Sequence, residues 1–276
     1  MTELDGELDA VLDGVLDGVR IGVTAERRAD DLIGALLRHG AEVRHAPTIT
    51  IVPLAEDPEL KRSTETVLAA PVGFTAVTTG AGFRGWVDAA DGWGLKDDLL
   101  TALRASRIFA RGPKAVGALR GLGLREDYAA PDESNAELFQ ALVDAGVEGE
   151  RVAVQLHGAP LPEFTSRLTG AEVVTVQPYR WLSPPNPLPV FSLVHDILSA
   201  EVEAVVFTSA PAAANFLTLA GDRRDAVVAV LRRGAIKTFC VGPVTAAPLE
   251  AAGIPTCQPE RQRLGALVKL VVATLG

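Results

Sequence analysis

Residues 110–123 read ARGPKAVGALRGLG, and residues 240–253 read CVGPVTAAPLEAAG. Each joins the end of an apolar run to Gly-Pro, an Ala-rich helical pattern and a closing Gly. The physics of this device is local. A strand ends, Gly supplies backbone freedom, and Pro sits in the first helical turn, where its missing N–H costs nothing. Working outward, the same alternation recurs. VRIGV (19–23) precedes a helix over about 28–39, FTAVTT (74–79) precedes GAGFRGWVDAA, and SRIFA (106–110) leads into the first device. NAELFQALVDAG reads as a helix capped by Ser134 or Asn135, RVAVQL (151–156) as a strand, and EFTSRLTG as a helix ending at Gly170. EAVVFTS (203–209) precedes APAAANFLTLAG, IKTFCVG (236–242) leads into the second device, and RLGALVKLVVATL closes the chain. Strand-length runs alternating with helices of roughly 10–15 residues predict an α/β fold with parallel sheets covered on both faces.

The pattern also repeats at long range. GAEV stands at 40–43 and 170–173, and Gly-Pro at 112–113 and 242–243, in both cases 130 positions apart. Strand ends read at Thr79 and Thr208 are 129 apart. Matches in one order, on the same element types, predict a duplication and hence two similar lobes. APTITIVP (46–53) and the Pro-dense VQPYRWLSPPNPLP (176–189) read as extended connections between them, neither central strand nor helix. The leading ELDGELDAVLDGVLDG is acidic with no base before Arg20 and reads as a mobile tail over 1–18.

Composition removes several classes of function. The 276 residues carry a net charge of −9, and Lys/Arg clustering stops at Arg27-Arg28 and Arg223-Arg224, so nucleic acid is not an expected partner. No apolar run reaches the roughly 18 residues that span a bilayer, and the acidic start lacks the basic region of a secretory signal. Cys240 and Cys257 read as small apolar residues in a reducing, cytoplasmic compartment. Gly80-x-Gly82-x-x-Gly85 fits a dinucleotide pattern, but Trp86 would crowd a pyrophosphate, and Asp97 and Asp98 begin a helix instead of ending a strand. It reads as a tight strand-to-helix turn. Without a P-loop, HExxH, CxxC or GxSxG, and with four scattered histidines, no metal site, cofactor or hydrolase triad is predicted.

What remains is a set of strand ends bearing small or hydroxyl residues: Thr79-Gly80, Gly112, Ser134-Asn135, Gly158, Thr208-Ser209 and Gly242. Ordinary capping accounts for any one of them. Gathered around one cleft, their unpaired N–H groups and helix-dipole ends would suit a ligand with many carboxylates. Tyr179, in QPYRW, can rest its ring on a lobe and direct its hydroxyl toward such a ligand.

AVTTGAGFRGW, RIFARGPKAVGAL, the Ser134-Asn135 helix start, VAVQLHGAPLP, VQPYRW, VVFTSAPAAANF and VGPVTAAPLEAAGI, in this order, resemble the uroporphyrinogen-III synthase family over about 20–270. The resemblance implies two α/β lobes joined by a two-stranded connector, with 19–46 plus 183–276 in one lobe and 50–178 in the other. It implies a cytoplasmic, monomeric lyase of heme and tetrapyrrole biosynthesis. Such an enzyme closes hydroxymethylbilane to uroporphyrinogen III with inversion of ring D, without metal or organic cofactor. The preceding enzyme of the pathway is then a candidate partner. By the resemblance, Tyr179 assists departure of the hydroxymethyl oxygen, and Thr245 is the threonine of the second Gly-Pro device; Ala115 holds that place in the first. Substrate binding falls to Thr79, Gly80, Gly112, Ser134, Asn135, Gly158 and Ser209, a set extended to Lys114, His157 and Thr208. The alternative is a non-catalytic module of the same shape that senses a tetrapyrrole or another anion in regulation. A periplasmic-type binder is disfavoured by the acidic start.

Overall fold

The computed structural model describes residues 14–276. They fall into two compact units, one holding the described residues up to Thr50 together with Leu182–Gly276, the other Ile51–Trp181. Tyr179 and Trp181 thus group with the second unit.

The strands in chain order are β1 (Arg20–Val23), β2 (Glu42–His45), β3 (Thr50–Pro53), β4 (Phe74–Val77), β5 (Arg107–Ala110), β6 (Tyr128–Ala129), β7 (Arg151–Gln155), β8 (Glu172–Val176), β9 (Tyr179–Leu182), β10 (Ala204–Phe207) and β11 (Lys237–Cys240). The unit Ile51–Trp181 is built on a parallel sheet in the order β6-β5-β4-β7-β8. Its central strand β4 is buried throughout and splits its side chains by the two-residue period of a strand. Phe74 and Ala76 join Phe109, Leu138 and Phe139 on one face, and Val77 joins Phe83, Trp86 and Leu119 on the other. Burial on both faces explains why these strands read as continuous apolar runs. Trp86 is fully buried, and its Nε1–H donates to Thr64 Oγ1 at 2.9 Å, so the large ring leaves no orphan donor.

The other unit has a parallel sheet in the order β11-β10-β1-β2. Val205 and Phe207 pack with the helix Leu188–Leu198, while Ala204 and Val206 pack with Leu32, Leu36 and Leu267. β10 and β11 repeat β4 and β5 at a uniform spacing of 130 residues, as their bounds show. The 129-residue spacing expected from Thr79 and Thr208 is corrected by this: the residue matching Thr79 is Ser209. β3 and β9 pair as a two-stranded ribbon.

Other expectations shift locally. Of the mobile tail expected over 1–18, residues 1–13 lie outside the described residues. Within residues 14–18 the chain is anchored at Leu16, which is fully buried and whose N–H donates to the His39 carbonyl at 2.7 Å. The Pro-dense stretch ends in a helix, because Pro189 falls in the first turn of Leu188–Leu198, where no N–H is missed. EFTSRLTG forms only the short helix Pro162–Thr165 before it turns.

Candidate active site

The site grows from the carboxyl ends of β4, β5 and β7 in the unit Ile51–Trp181. After β4 the chain passes Thr78 and Thr79 and enters the helix Gly80–Gly92. Thr79 is its N-cap in extended conformation, and Thr79 Oγ1 accepts from the Gly82 N–H at 3.1 Å. Gln155, fully buried at the end of β7, accepts the Thr79 N–H on Oε1 at 3.2 Å and donates from Nε2 to the Leu156 carbonyl. Thr78 Oγ1 donates to the Gln155 carbonyl at 2.8 Å. The turn is therefore fixed from both sides.

Tyr179 stands over this turn, its hydroxyl 3.4 Å from Thr79 Oγ1. The approach requires glycine at 82, where a Cβ would come within 2.9 Å of Tyr179 Cε1 and 2.3 Å of Gln155 Nε2. Tyr179 meets Trp181 edge-on at 6.3 Å, and Trp181 meets His157 in the same manner at 5.0 Å. Gly158 has φ of 57°, and a Cβ there would lie 2.2 Å from Trp181 Cδ2, so only glycine lets the indole settle. Its carbonyl accepts the Trp181 N–H at 3.0 Å.

β5 delivers Arg111 and Gly112. The Arg111 N–H donates to the Val77 carbonyl at 3.0 Å, which brings the side chain beside Tyr179 and Glu133. Burial pushes the Arg111 guanidinium below its ordinary pKa, against the opposing pull of Tyr179 and Glu133. Gly112 caps the helix Pro113–Gly121 with Pro at its start. Ser134 caps Asn135–Asp144, accepting from the Glu137 N–H at 3.1 Å while its own hydroxyl donates to Asp132 at 2.8 Å. Asn135 Nδ2 lies 3.3 Å from His157 Nε2. Burial, and then the charge of Arg111, push the His157 pKa down to about 4, so its ring is neutral near pH 7. The side-chain atoms Asn135 Oδ1 and His157 Nδ1 are buried without a hydrogen-bond partner.

Of the residues expected from sequence, this unit holds Thr79, Gly80, Gly112, Ser134, Asn135, His157, Gly158 and Tyr179. Lys114 lies in the first turn after Gly112 with an exposed side chain; its carbonyl would meet a Cβ on Gly80 at 2.0 Å. Thr208, Ser209 and Thr245 belong to the other unit. There Ser209 caps Ala210–Leu219 by accepting from the Ala212 N–H at 3.4 Å, and Thr245 is buried in the helix Pro243–Ala251. Sequence reasoning did not single out Gln155, Arg111 or Trp181. Their one signal was placement at strand ends, which Arg111 shares with Gly112. Among the described residues no helix is long and apolar enough to cross a membrane.

These features define a two-unit parallel α/β protein with a tyrosine and an arginine gathered at the glycine-rich strand ends of one sheet. The family model described as "HEM4: Uroporphyrinogen-III synthase HemD" matches residues 30–269, and the chain belongs to the uroporphyrinogen-III synthase family. It is 35% identical over 196 residues to the uncharacterized protein YjjA of Bacillus subtilis strain 168, covering 69% of this chain and 72% of that one. Among solved structures it is similar to a mutant uroporphyrinogen III synthase from the extremely thermophilic bacterium Thermus thermophilus, with a TM-score of 0.80, 27% identity and coverage of 93% and 98%. The wild-type Thermus enzyme in another crystal form gives 0.64, with 28% identity and the same coverage.

Proposed function

We propose that this protein is a uroporphyrinogen-III synthase acting on hydroxymethylbilane. The observation that carries the reading is the Tyr179 hydroxyl, held 3.4 Å from the capping hydroxyl of Thr79 at the carboxyl end of β4. Thr79 Oγ1 already accepts from the Gly82 N–H, so its own proton can go to Tyr179 Oη. Tyr179 can then present its hydroxyl to an oxygen on the substrate. When the C–O bond of the hydroxymethyl group breaks, that oxygen takes up a proton and leaves as water. The electrophilic carbon left behind is attacked by the substituted pyrrole carbon of ring D, and a spiro intermediate rearranges to the inverted ring. The pyrroles supply the electrons, so the protein's task is orientation and the exclusion of direct closure. Strand-end N–H groups and helix starts at Gly80, Gly112, Ser134 and Asn135 favour the substrate's carboxylates. Ser209 caps the matching helix of the other unit.

The test is to supply hydroxymethylbilane and separate the product isomers. Uroporphyrinogen III above the uncatalysed background supports the reading. Product confined to the unrearranged isomer, with a tetrapyrrole still bound, would replace it with the sensing module.

A further inference from the structure

Arg111 presents an imbalance that the fold alone does not resolve. A guanidinium keeps its charge at any physiological pH, and removing it from water is costly unless a carboxylate or a set of acceptors replaces the water. Arg111 is partly buried behind Tyr179, yet among the described residues its guanidinium is in no ion pair and no side-chain hydrogen bond. Glu133 faces it from an exposed position and stays outside ion-pair distance; its side chain lies across Gly112, in a left-handed backbone conformation with φ of 59°. The Arg111 charge also reaches His157, and His157 and its neighbour Asn135 carry the two buried atoms that lack a hydrogen-bond partner among the described residues. If Asn135 Nδ2 donates to His157 Nε2, the ring proton sits on Nδ1, a buried donor awaiting an acceptor. Asn135 Oδ1 in turn is an acceptor awaiting a donor. A cation, a neutral donor and an acceptor, each without a matching group, suit a carboxylate attached to an N–H-bearing ring.

We propose that Arg111 receives a substrate carboxylate through a two-pronged hydrogen bond, with His157 Nδ1–H donating beside it and Asn135 Oδ1 taking a pyrrole N–H. The assignment rests on the reading of this site as one for a polycarboxylate tetrapyrrole. It makes Arg111 a binding residue that sets which face of the ligand meets Tyr179. His157 must be neutral to serve without competing for the carboxylate, and its lowered pKa secures that. The corresponding position in the other unit, 130 residues on, is Val241, so the receptor belongs to one unit only.

The experiment titrates uroporphyrin III, a stable octacarboxylate, into the full chain and follows tryptophan quenching. Arg111→Gln is expected to bind roughly 10- to 100-fold more weakly, as loss of a charged hydrogen-bonded pair implies. The salt dependence of binding should flatten as one counter-charge is lost. Arg111→Lys should recover part of the affinity, since it keeps the charge and loses the fork. Arg104→Gln, at an exposed position of the helix Lys96–Ala105, controls for overall charge and should bind as wild type. In folded Arg111→Gln, the His157 ring should titrate at a higher pH by NMR, because the neighbouring charge is gone. Equal affinity for wild type, Arg111→Lys and Arg111→Gln, or no binding by wild type, overturns the assignment. Arg111-dependent binding with no uroporphyrinogen III formed from hydroxymethylbilane would sink the synthase reading and leave this one standing. Turnover with affinity indifferent to Arg111 would do the reverse.

Discussion

Gly112 and Gly242 hold nearly the same backbone, φ 177° with ψ −175° and φ 174° with ψ 178°. Each caps a nine-residue helix with Pro at its start, and each follows a strand buried over its last three residues. Thr79 and Ser209 likewise cap the preceding helices in the same way. What the caps face is different. In the unit carrying Gly242, two strand-end hydroxyls are satisfied by backbone carbonyls of the same unit: Thr24 Oγ1 donates to the Val206 carbonyl at 3.0 Å and Thr48 Oγ1 to the Ala212 carbonyl at 2.8 Å. In the unit carrying Gly112, Gln155 occupies the strand end that Thr24 holds in the other. In that unit, among the described residues, Arg111 is in no ion pair, and Asn135 and His157 each leave a buried side-chain atom without a hydrogen-bond partner. Among the described residues, the buried polar side-chain atoms without a partner fall in this second unit, the pattern expected where a ligand completes the bonding.

The largest test of this comparison is at the helix start. Gly80→Ala would drive a Cβ into the Lys114 carbonyl at 2.0 Å, a backbone atom with little room to move. It should cost about 2–4 kcal/mol in urea unfolding. Ala210 occupies the matching position, and Ala210→Gly should cost under about 1 kcal/mol. Equal costs would mean that the two helix pairs pack alike and that the asymmetry lies only in the polar groups.

Tyr179→Phe removes one hydroxyl and leaves the ring against Trp181. If that hydroxyl bonds the departing oxygen at a value of about 1–3 kcal/mol, uroporphyrinogen III formation slows roughly 5- to 150-fold with an unchanged unfolding midpoint. An unaltered rate would reduce Tyr179 to a packing residue and remove the main functional difference between the units.

The smallest effect is expected from exchanging the hydroxyl of the two devices. Thr245→Ala should lower turnover several-fold. Ala115→Thr should leave turnover near wild type and cost about 1 kcal/mol of stability, because Ala115 is buried. If neither change moves the rate, the repeat serves structure alone in both units.

How far the sequence speaks follows from this geometry. Strands and caps are local: apolar runs bounded by Gly-Pro or by Thr and Ser announce β4, β5, β10 and β11 and the helices that follow. The repeat was legible for the same reason, and its one-residue error at Thr208 arose because two adjacent hydroxyl residues both look like caps. Tyr179 and His157 were singled out, but the contacts that gather them with their neighbours were not legible. Gln155 and Tyr179 reach Thr79 from 76 and 100 residues away, and Trp181 fits only because Gly158 lacks a side chain. Nothing in the sequence singled out Arg111, since burial is a property of its neighbours. The helix Pro58–Leu68 was missed altogether, although Asp57 caps it by accepting the Glu59 N–H at 2.8 Å.

The pairing of β1 with β10 bears on how the chain is made. Ile21 lies in register with Ala204, and between them the chain threads the whole of the other unit. At a synthesis rate of about 5–20 residues per second, β1 leaves the ribosome roughly 10–40 s before its partner exists. Until then it can pair only with β2, with one edge bare. The unit Ile51–Trp181 needs nothing made later and can close first. Nascent chains arrested once residue 185 has cleared the ribosomal exit tunnel should therefore carry one protease-resistant body, together with an amino-terminal segment dependent on chaperones.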